Sequence, residues 1–139
     1  MIEVYPGFFY GNPAAFPFDL WVQQIPSVVI VSIYYRLDSF GFLSVPELND
    51  SVDGDLNAGF LDQKEALRWV QSYIHTFGGD PDHVTINGQS AGGSSILLHL
   101  VAHQEEKLFS AAIAQSISGR PVPTPEQQQV TSLFEHLHV

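Results

Sequence analysis

The chain has 139 residues, 45% of them hydrophobic and 14% charged, which is one domain's worth of material with enough apolar content for a substantial core. Fifteen acidic residues against five basic ones leave a formal charge of -10, which repels phosphate backbones and anionic lipid headgroups and argues against nucleic acid or polybasic membrane docking. With no cysteine there is no disulfide framework, no thiolate nucleophile and no Cys-based metal site.

Met1-Ile2-Glu3-Val4-Tyr5 lacks the basic start and long apolar stretch of a secretion signal, and no apolar run approaches about 18 residues. The sequence as read carries no address and no membrane span, and localisation stays open. The first clear element is Ser27-Val28-Val29-Ile30-Val31-Ser32-Ile33-Tyr34-Tyr35, a β-branched, nearly continuous apolar run expected to form a strand buried on both faces. A loop follows from Arg36 to about Gly54, and within it Asn49-Asp50-Ser51 has the form of a glycosylation sequon.

A helix is expected from about Asn57 to Phe77, with Phe60, Leu67, Val70, Ile74 and Phe77 forming its core-facing stripe. Gly78-Gly79-Asp80-Pro81 stops it, because glycine accepts the left-handed C-terminal conformation and proline cannot continue the ladder. A short strand from His83 to Asn87, a helix from Ala91 to about His103 and a buried strand from Leu108 to Ile117 complete the alternation. Such an order predicts an α/β fold, a mostly parallel sheet with right-handed crossovers and helices on both faces. Beyond Gly119 the segment Arg120-Pro121-Val122-Pro123-Thr124-Pro125 reads as a stiff turn, and Glu126 to His136 as a last helix capped by Thr124. No second domain is expected within residues 1–139.

Gly88-Gln89-Ser90-Ala91-Gly92 matches G-x-S-x-G, a weak pattern in isolation that gains meaning from its setting between a strand and a helix. A tight strand-to-helix turn there strains the serine's backbone, and glycine at Gly88 and Gly92 leaves room for neighbouring main chain to pass. The same turn puts Ser90 at a helix N-terminus, where unpaired N–H groups and the helix dipole favour developing negative charge. Ser90 is thereby the candidate nucleophile and the Ala91 N–H a candidate oxyanion-hole donor. Two other readings stay open from the residues alone, a phosphate cradle, which lacks the Lys-[ST] ending of a P-loop, and a plain structural turn.

Phe77-Gly78-Gly79, then Val84, Ile86 and Gly88-Gln89-Ser90-Ala91-Gly92, resemble the active-site signature of the type-B carboxylesterase/lipase family, which includes cholinesterase-like and fungal lipase-like enzymes. Tyr34-Tyr35-Arg36-Leu37 with Phe40-Gly41-Phe42-Leu43, and Asn57-Ala58-Gly59-Phe60-Leu61-Asp62-Gln63, resemble the same family in order and spacing. The resemblance implies a partial α/β-hydrolase fold and hydrolysis of carboxylic esters, small-molecule or lipid, by a Ser, Glu or Asp, His triad through an acyl-enzyme intermediate, with no cofactor; no metal is expected, because no set of His, Asp and Glu has metal-ligand spacing. Arg36 and Asp62 look like the family's structural ion pair. Family members often carry glutamate where this chain has Gln89.

The family's His-Gly-Gly-Gly-Phe-like oxyanion loop corresponds here to Val4-Tyr5-Pro6-Gly7-Phe8. Gly7 keeps its place as a second oxyanion donor, whereas Pro6 has no N–H to donate, and losing one such donor costs on the order of 10² to 10³ in turnover. Triad partners follow the nucleophile in the order acid, then His. Forty-nine residues follow Ser90, and none matches either partner, so the triad acid and His are expected outside this chain. His99 lies about 13 Å along the helix axis from Ser90 and His103 farther, so both are expected as helix-surface or core histidines. Glu135, His136 and His138 are expected at a solvated helix end, and His75 and His83 flank the helix stop. The alternative reading is a non-catalytic chain, a truncated pseudoenzyme or a cholinesterase-like interaction protein. An early piece of sheet without later strands is also expected to leave an apolar edge and face exposed.

Overall fold

In the computed structural model, the structure describes residues 1–4, 7–49, 51–52, 54–102 and 106–117. Its centre is a four-stranded parallel sheet of β1 (Ile2–Val4), β2 (Val31–Ile33), β3 (Thr85–Gln89) and β4 (Ala111–Gln115), in the order β2-β1-β3-β4. The register sets Ile2 beside Val31 and Ile86, Glu3 beside Ser32 and Asn87, and Val4 beside Ile33 and Gly88. Neighbours in register point to the same side, so the sheet has one apolar and one polar face. Ile2, Val4, Ile33 and Ile86 form the apolar face, and Ser32, Glu3 and Asn87 a buried or half-buried polar row behind it.

The long helix α4 (Ala58–Tyr73) and the helix after Ser90, α5 (Ala91–Val101), both cover the apolar face. Leu67, Val70, Ile74 and Ile96 enter one core cluster with Ile2, Val4, Ile33 and Ile86. A shorter helix, α1 (Phe18–Gln24), crosses from β1 to β2, and two small helices, α2 (Asp38–Phe42) and α3 (Pro46–Asn49), occupy the segment before α4. The chain steps from β1 one way to β2 and then back across β1 to β3 and β4. Right-handed crossovers then set α1 on the opposite face from α4 and α5, and no α1 residue joins the core cluster.

Several expectations change in detail. The nine-residue apolar run supplies only three ladder residues, Val31–Ile33, while Val28, Val29 and Ile30 are half-buried outside it. The expected loop from Arg36 to Gly54 contains α2 and α3. Helix α4 ends at Tyr73 and tightens into a 3-10 turn over Ile74–Phe77, closed by Gly78 at φ 80. Its buried face is Gly59, Gln63, Leu67 and Val70, with Ile74 beyond. Phe77 is 63% exposed, because the 3-10 turn rotates it off the helical stripe.

The strand expected at His83–Asn87 lies two residues later, because Asp80 caps a 3-10 turn at Pro81–His83 and delays the ladder. Strand β4 is shorter than Leu108–Ile117 and largely exposed, with Ile113 at 45%, instead of buried. It is the last strand of the described sheet, so one edge and part of one face lack a covering element among the described residues. Strand β1 and helix α1 were not anticipated from residue pattern. Helix α5 is described to Val101, and His103, Thr124, the expected helix from Glu126 to His136, Glu135 and His138 lie outside the described residues. Among the described residues no helix is long and apolar enough to cross a membrane.

Candidate active site

Ser90 occupies the single-residue turn between β3 and α5 and adopts φ 54, ψ -118. A non-glycine residue in this region is strained by an order of 1–3 kcal/mol and persists only where its surroundings over-determine it. Three contacts do so. The Ser90 N–H donates to the Gln115 carbonyl at 2.9 Å, and the Ser90 carbonyl accepts from the Ser94 N–H at 2.9 Å and the Ser94 hydroxyl at 3.1 Å. The Ser90 residue is exposed and makes no side-chain capping bond to α5, which leaves its hydroxyl presented at the helix start.

Glycine is required at Gly88 for packing. A Cβ there would lie 2.5 Å from the Gly92 carbonyl carbon and 2.6 Å from its oxygen, so β3 and the first turn of α5 approach at main-chain contact distance. Gly93, not singled out from the motif, is equally constrained, since its Cβ would sit 2.5 Å from the Gln115 carbonyl oxygen. The doubled glycine of Gly92-Gly93 was the available signal. Ala91 is buried at the first position of α5, where helix geometry leaves its N–H without an intrahelical acceptor.

Gly7 leaves β1 at the same end at which Ser90 leaves β3, because Val4 pairs with Gly88 in parallel register. The loop is fixed from outside, with the Tyr35 hydroxyl donating to the Gly7 carbonyl at 2.6 Å and the Asp38 N–H to the Phe8 carbonyl at 2.7 Å. Phe8 packs edge-on against Phe42, their centroids 5.1 Å apart. The order in which strands are added reverses at β1, so the carboxyl ends of β1 and β3 flank a topological switch point, the crevice where open α/β sheets bind ligands. Tyr5 and Pro6 lie outside the described residues.

No described histidine approaches this turn as a proton acceptor. His99 is buried, its Nε2–H donating to Gln63 Oε1 at 3.2 Å while Gln63 Nε2 donates to the Ser95 hydroxyl at 3.2 Å. Its ring stacks on Phe60 with centroids 4.2 Å apart. Burial, with Lys64 nearby, lowers its pKa to about 4. His83 sits before β3, at the strand end opposite Ser90, and its Nδ1 pairs with Asp80 at 2.7 Å. His75 is exposed in the 3-10 turn after α4.

Arg36 and Asp62 form a bidentate pair, Nη2 to Oδ1 at 2.7 Å and Nε to Oδ2 at 2.8 Å, reinforced by the Arg36 N–H at 3.0 Å. These bonds hold the Asp62 carboxyl below its ordinary pKa. The pair ties the end of the β2 segment to α4 and does not touch Ser90. Two cavities, of about 250 Å³ beside Arg36, Phe40 and Asp55 and about 210 Å³ beside Val29, Val70 and His83, are not lined by Ser90. Among the described residues no group of three or more His, Asp or Glu could hold a metal ion.

The profile of the carboxylesterase family matches residues 1–136. Acetylcholinesterase of Electrophorus electricus is 43% identical over 118 residues, 84% of this chain and 18% of that protein. Lipase 2 of Geotrichum candidum is 40% identical over 141 aligned residues, 94% of this chain and 24% of the lipase. The fold resembles the crystal structure of Aspergillus niger EstA, with a TM-score of 0.71 and 40% identity over 81% of this chain and 22% of EstA. It also resembles a PNB esterase, with a TM-score of 0.77 and 35% identity over 98% of this chain and 28% of that one. The chain therefore spans about a fifth to a quarter of the length of these relatives.

Proposed function

Because the chain belongs to the carboxylesterase family, we propose that residues 1–139 are the nucleophile-bearing part of a serine carboxylic ester hydrolase. Ser90 Oγ attacks the ester carbonyl carbon, the carbonyl π electrons move to oxygen, and the Ala91 and Gly7 N–H groups hold that oxyanion. The tetrahedral intermediate collapses, the C–O bond to the alcohol breaks, and the alcohol leaves with a proton. Water then attacks the acyl-enzyme, releasing the acid and restoring the serine hydroxyl. The observation that supports this reading is the Ser90 turn, strained at φ 54 at the start of α5, with Gly88 and Gly92 in main-chain contact beneath it.

A serine hydroxyl needs a base to take its proton, and His99, the described histidine on the same helix, is committed to Gln63 and Phe60. The base and its carboxylate partner come from sequence beyond the elbow. The chain of residues 1–139 is therefore expected to turn over esters little or not at all. The purified chain, beside Ser90→Ala, is assayed against a short-chain nitrophenyl ester. Equal background rates are expected, and clear Ser90-dependent turnover by residues 1–139 would show that the base lies within them. In a longer chain carrying the downstream sequence, turnover is expected and Ser90→Ala abolishes it; turnover that survives Ser90→Ala would overturn the nucleophile assignment.

A further inference from the structure

Two polar residues stand in the middle of the sheet where apolar ones would be the unforced choice. Glu3 on β1 and Asn87 on β3 are 3% and 4% exposed and pair in register. Burying such a pair is typically no more stabilising than a well-packed apolar pair of similar volume. Burial raises the pKa of the Glu3 carboxyl, and its hydrogen bond from Asn87 opposes that shift. What the pair gains is a connection. Asn87 Nδ2 donates to Glu3 Oε2, Gln115 Nε2 donates to Asn87 Oδ1 at 3.3 Å, and the Gln115 main-chain carbonyl accepts the Ser90 N–H at 2.9 Å.

The direction of this chain is set at its buried end. A carboxylate only accepts, so it turns the Asn87 amide nitrogen toward itself and leaves the amide oxygen facing Gln115. That bond reaches across to the exposed strand β4, whose residues Ala111, Ile113, Ala114 and Gln115 are all open to solvent. An exposed edge strand is the part of a sheet most prone to fray. The other bonds to the Ser90 main chain, from Ser94, lie within the first turn of α5 and form with the helix. Among the described residues, only the bond to Gln115 ties the strained residue across to the neighbouring strand.

We propose that Glu3, Asn87 and Gln115 are positioning residues, a buried hydrogen-bond relay that fastens the end of β4 to β3 and so holds the Ser90 turn in the geometry that presents its hydroxyl. The relevance to catalysis rests on the proposed role of Ser90, but the relay is read at the Ser90 amide and can fail independently of ester turnover.

Amide hydrogen exchange of the ¹⁵N-labelled chain, followed by NMR, tests it. Asn87→Leu and Glu3→Leu are expected to speed Ser90 N–H exchange about tenfold, the effect of losing the neutral Gln115–Asn87 hydrogen bond, while Val70 in α4 keeps its protection. Glu3→Gln retains an accepting oxygen for Asn87 and restores slow exchange at Ser90. Gln115→Met changes only an exposed residue, so the fold is spared, and it too is expected to speed exchange at Ser90. Unchanged Ser90 exchange in Gln115→Met, or in Asn87→Leu and Glu3→Leu, overturns the relay. So does a uniform loss of protection across α4 and the sheet, or a Glu3→Gln variant that exchanges as fast as Glu3→Leu. Ester turnover of a longer chain, measured separately, bears on the nucleophile and leaves the exchange result standing.

Discussion

His99 gives the sharpest quantitative test of the packing between α4 and α5. Its imidazole is 3% exposed, stacked on Phe60 and bonded to Gln63, which in turn holds Ser95 one turn earlier on α5. Burial lowers its pKa from the ordinary 6.5 to about 4. Above pH 6.5 the folded and unfolded chains both hold a neutral ring, and the full contribution of the neutral contact is present. As pH falls from 6.5 to 4 the unfolded chain takes up a proton that the folded chain refuses, and stability declines across that window. The total loss assigned to this one group is about 3 kcal/mol. In His99→Gln an amide can still donate to Gln63 but does not titrate, so this component disappears. Urea unfolding followed by fluorescence of Trp21 and Trp69 at pH 7, 6, 5 and 4 gives the two stability curves. The wild-type advantage over His99→Gln is expected to shrink by about 3 kcal/mol between pH 7 and pH 4, the carboxylates common to both chains cancelling. An NMR titration of the imidazole should show its midpoint near 4. Parallel stability curves, or an imidazole that titrates near 6.5, would refute the packing argument.

Two further perturbations probe the elbow and the edge. Gly88→Ala puts a Cβ about 2.5 Å from main-chain atoms of Gly92, so the strand and helix must separate. A loss of ~1–3 kcal/mol in urea unfolding is expected from such overpacking, with faster exchange at Ser90; a neutral substitution would show that the close approach is absent in solution. The exposed face of β4, with Ile113 at 45%, is expected to drive self-association of the isolated chain, and Ile113→Lys to reduce it in sedimentation velocity. A wild-type chain that is already monomeric would contradict this.

Local chemistry made much of the molecule readable from its residues. Helix α4 was legible because its apolar positions recur at helical spacing and Gly78 closes the 3-10 turn that follows it, and the Ser90 turn because Gly88 and Gly92 punctuate a strand-to-helix junction. The resemblance of that signature to carboxylesterases agrees with the family to which the chain belongs. Positions that depend on distant partners were less legible. Phe77 matched the periodicity but lies on a 3-10 turn facing solvent, and Gln63, a polar residue skipped by any apolar count, is fully buried between Ser95 and His99.

Short-range propensity and backbone sterics are enough to dictate the alternation of strand and helix and to put Ser90 at a helix start. Long-range packing makes three residues, Ile2–Val4, a central strand, since a run that short has no measurable period and becomes a strand through its neighbours on both sides. The same packing brings Glu3 to Asn87, 84 residues away, and Gln115 to the Ser90 amide. Strand register creates these contacts, and register is fixed by burial across the whole sheet.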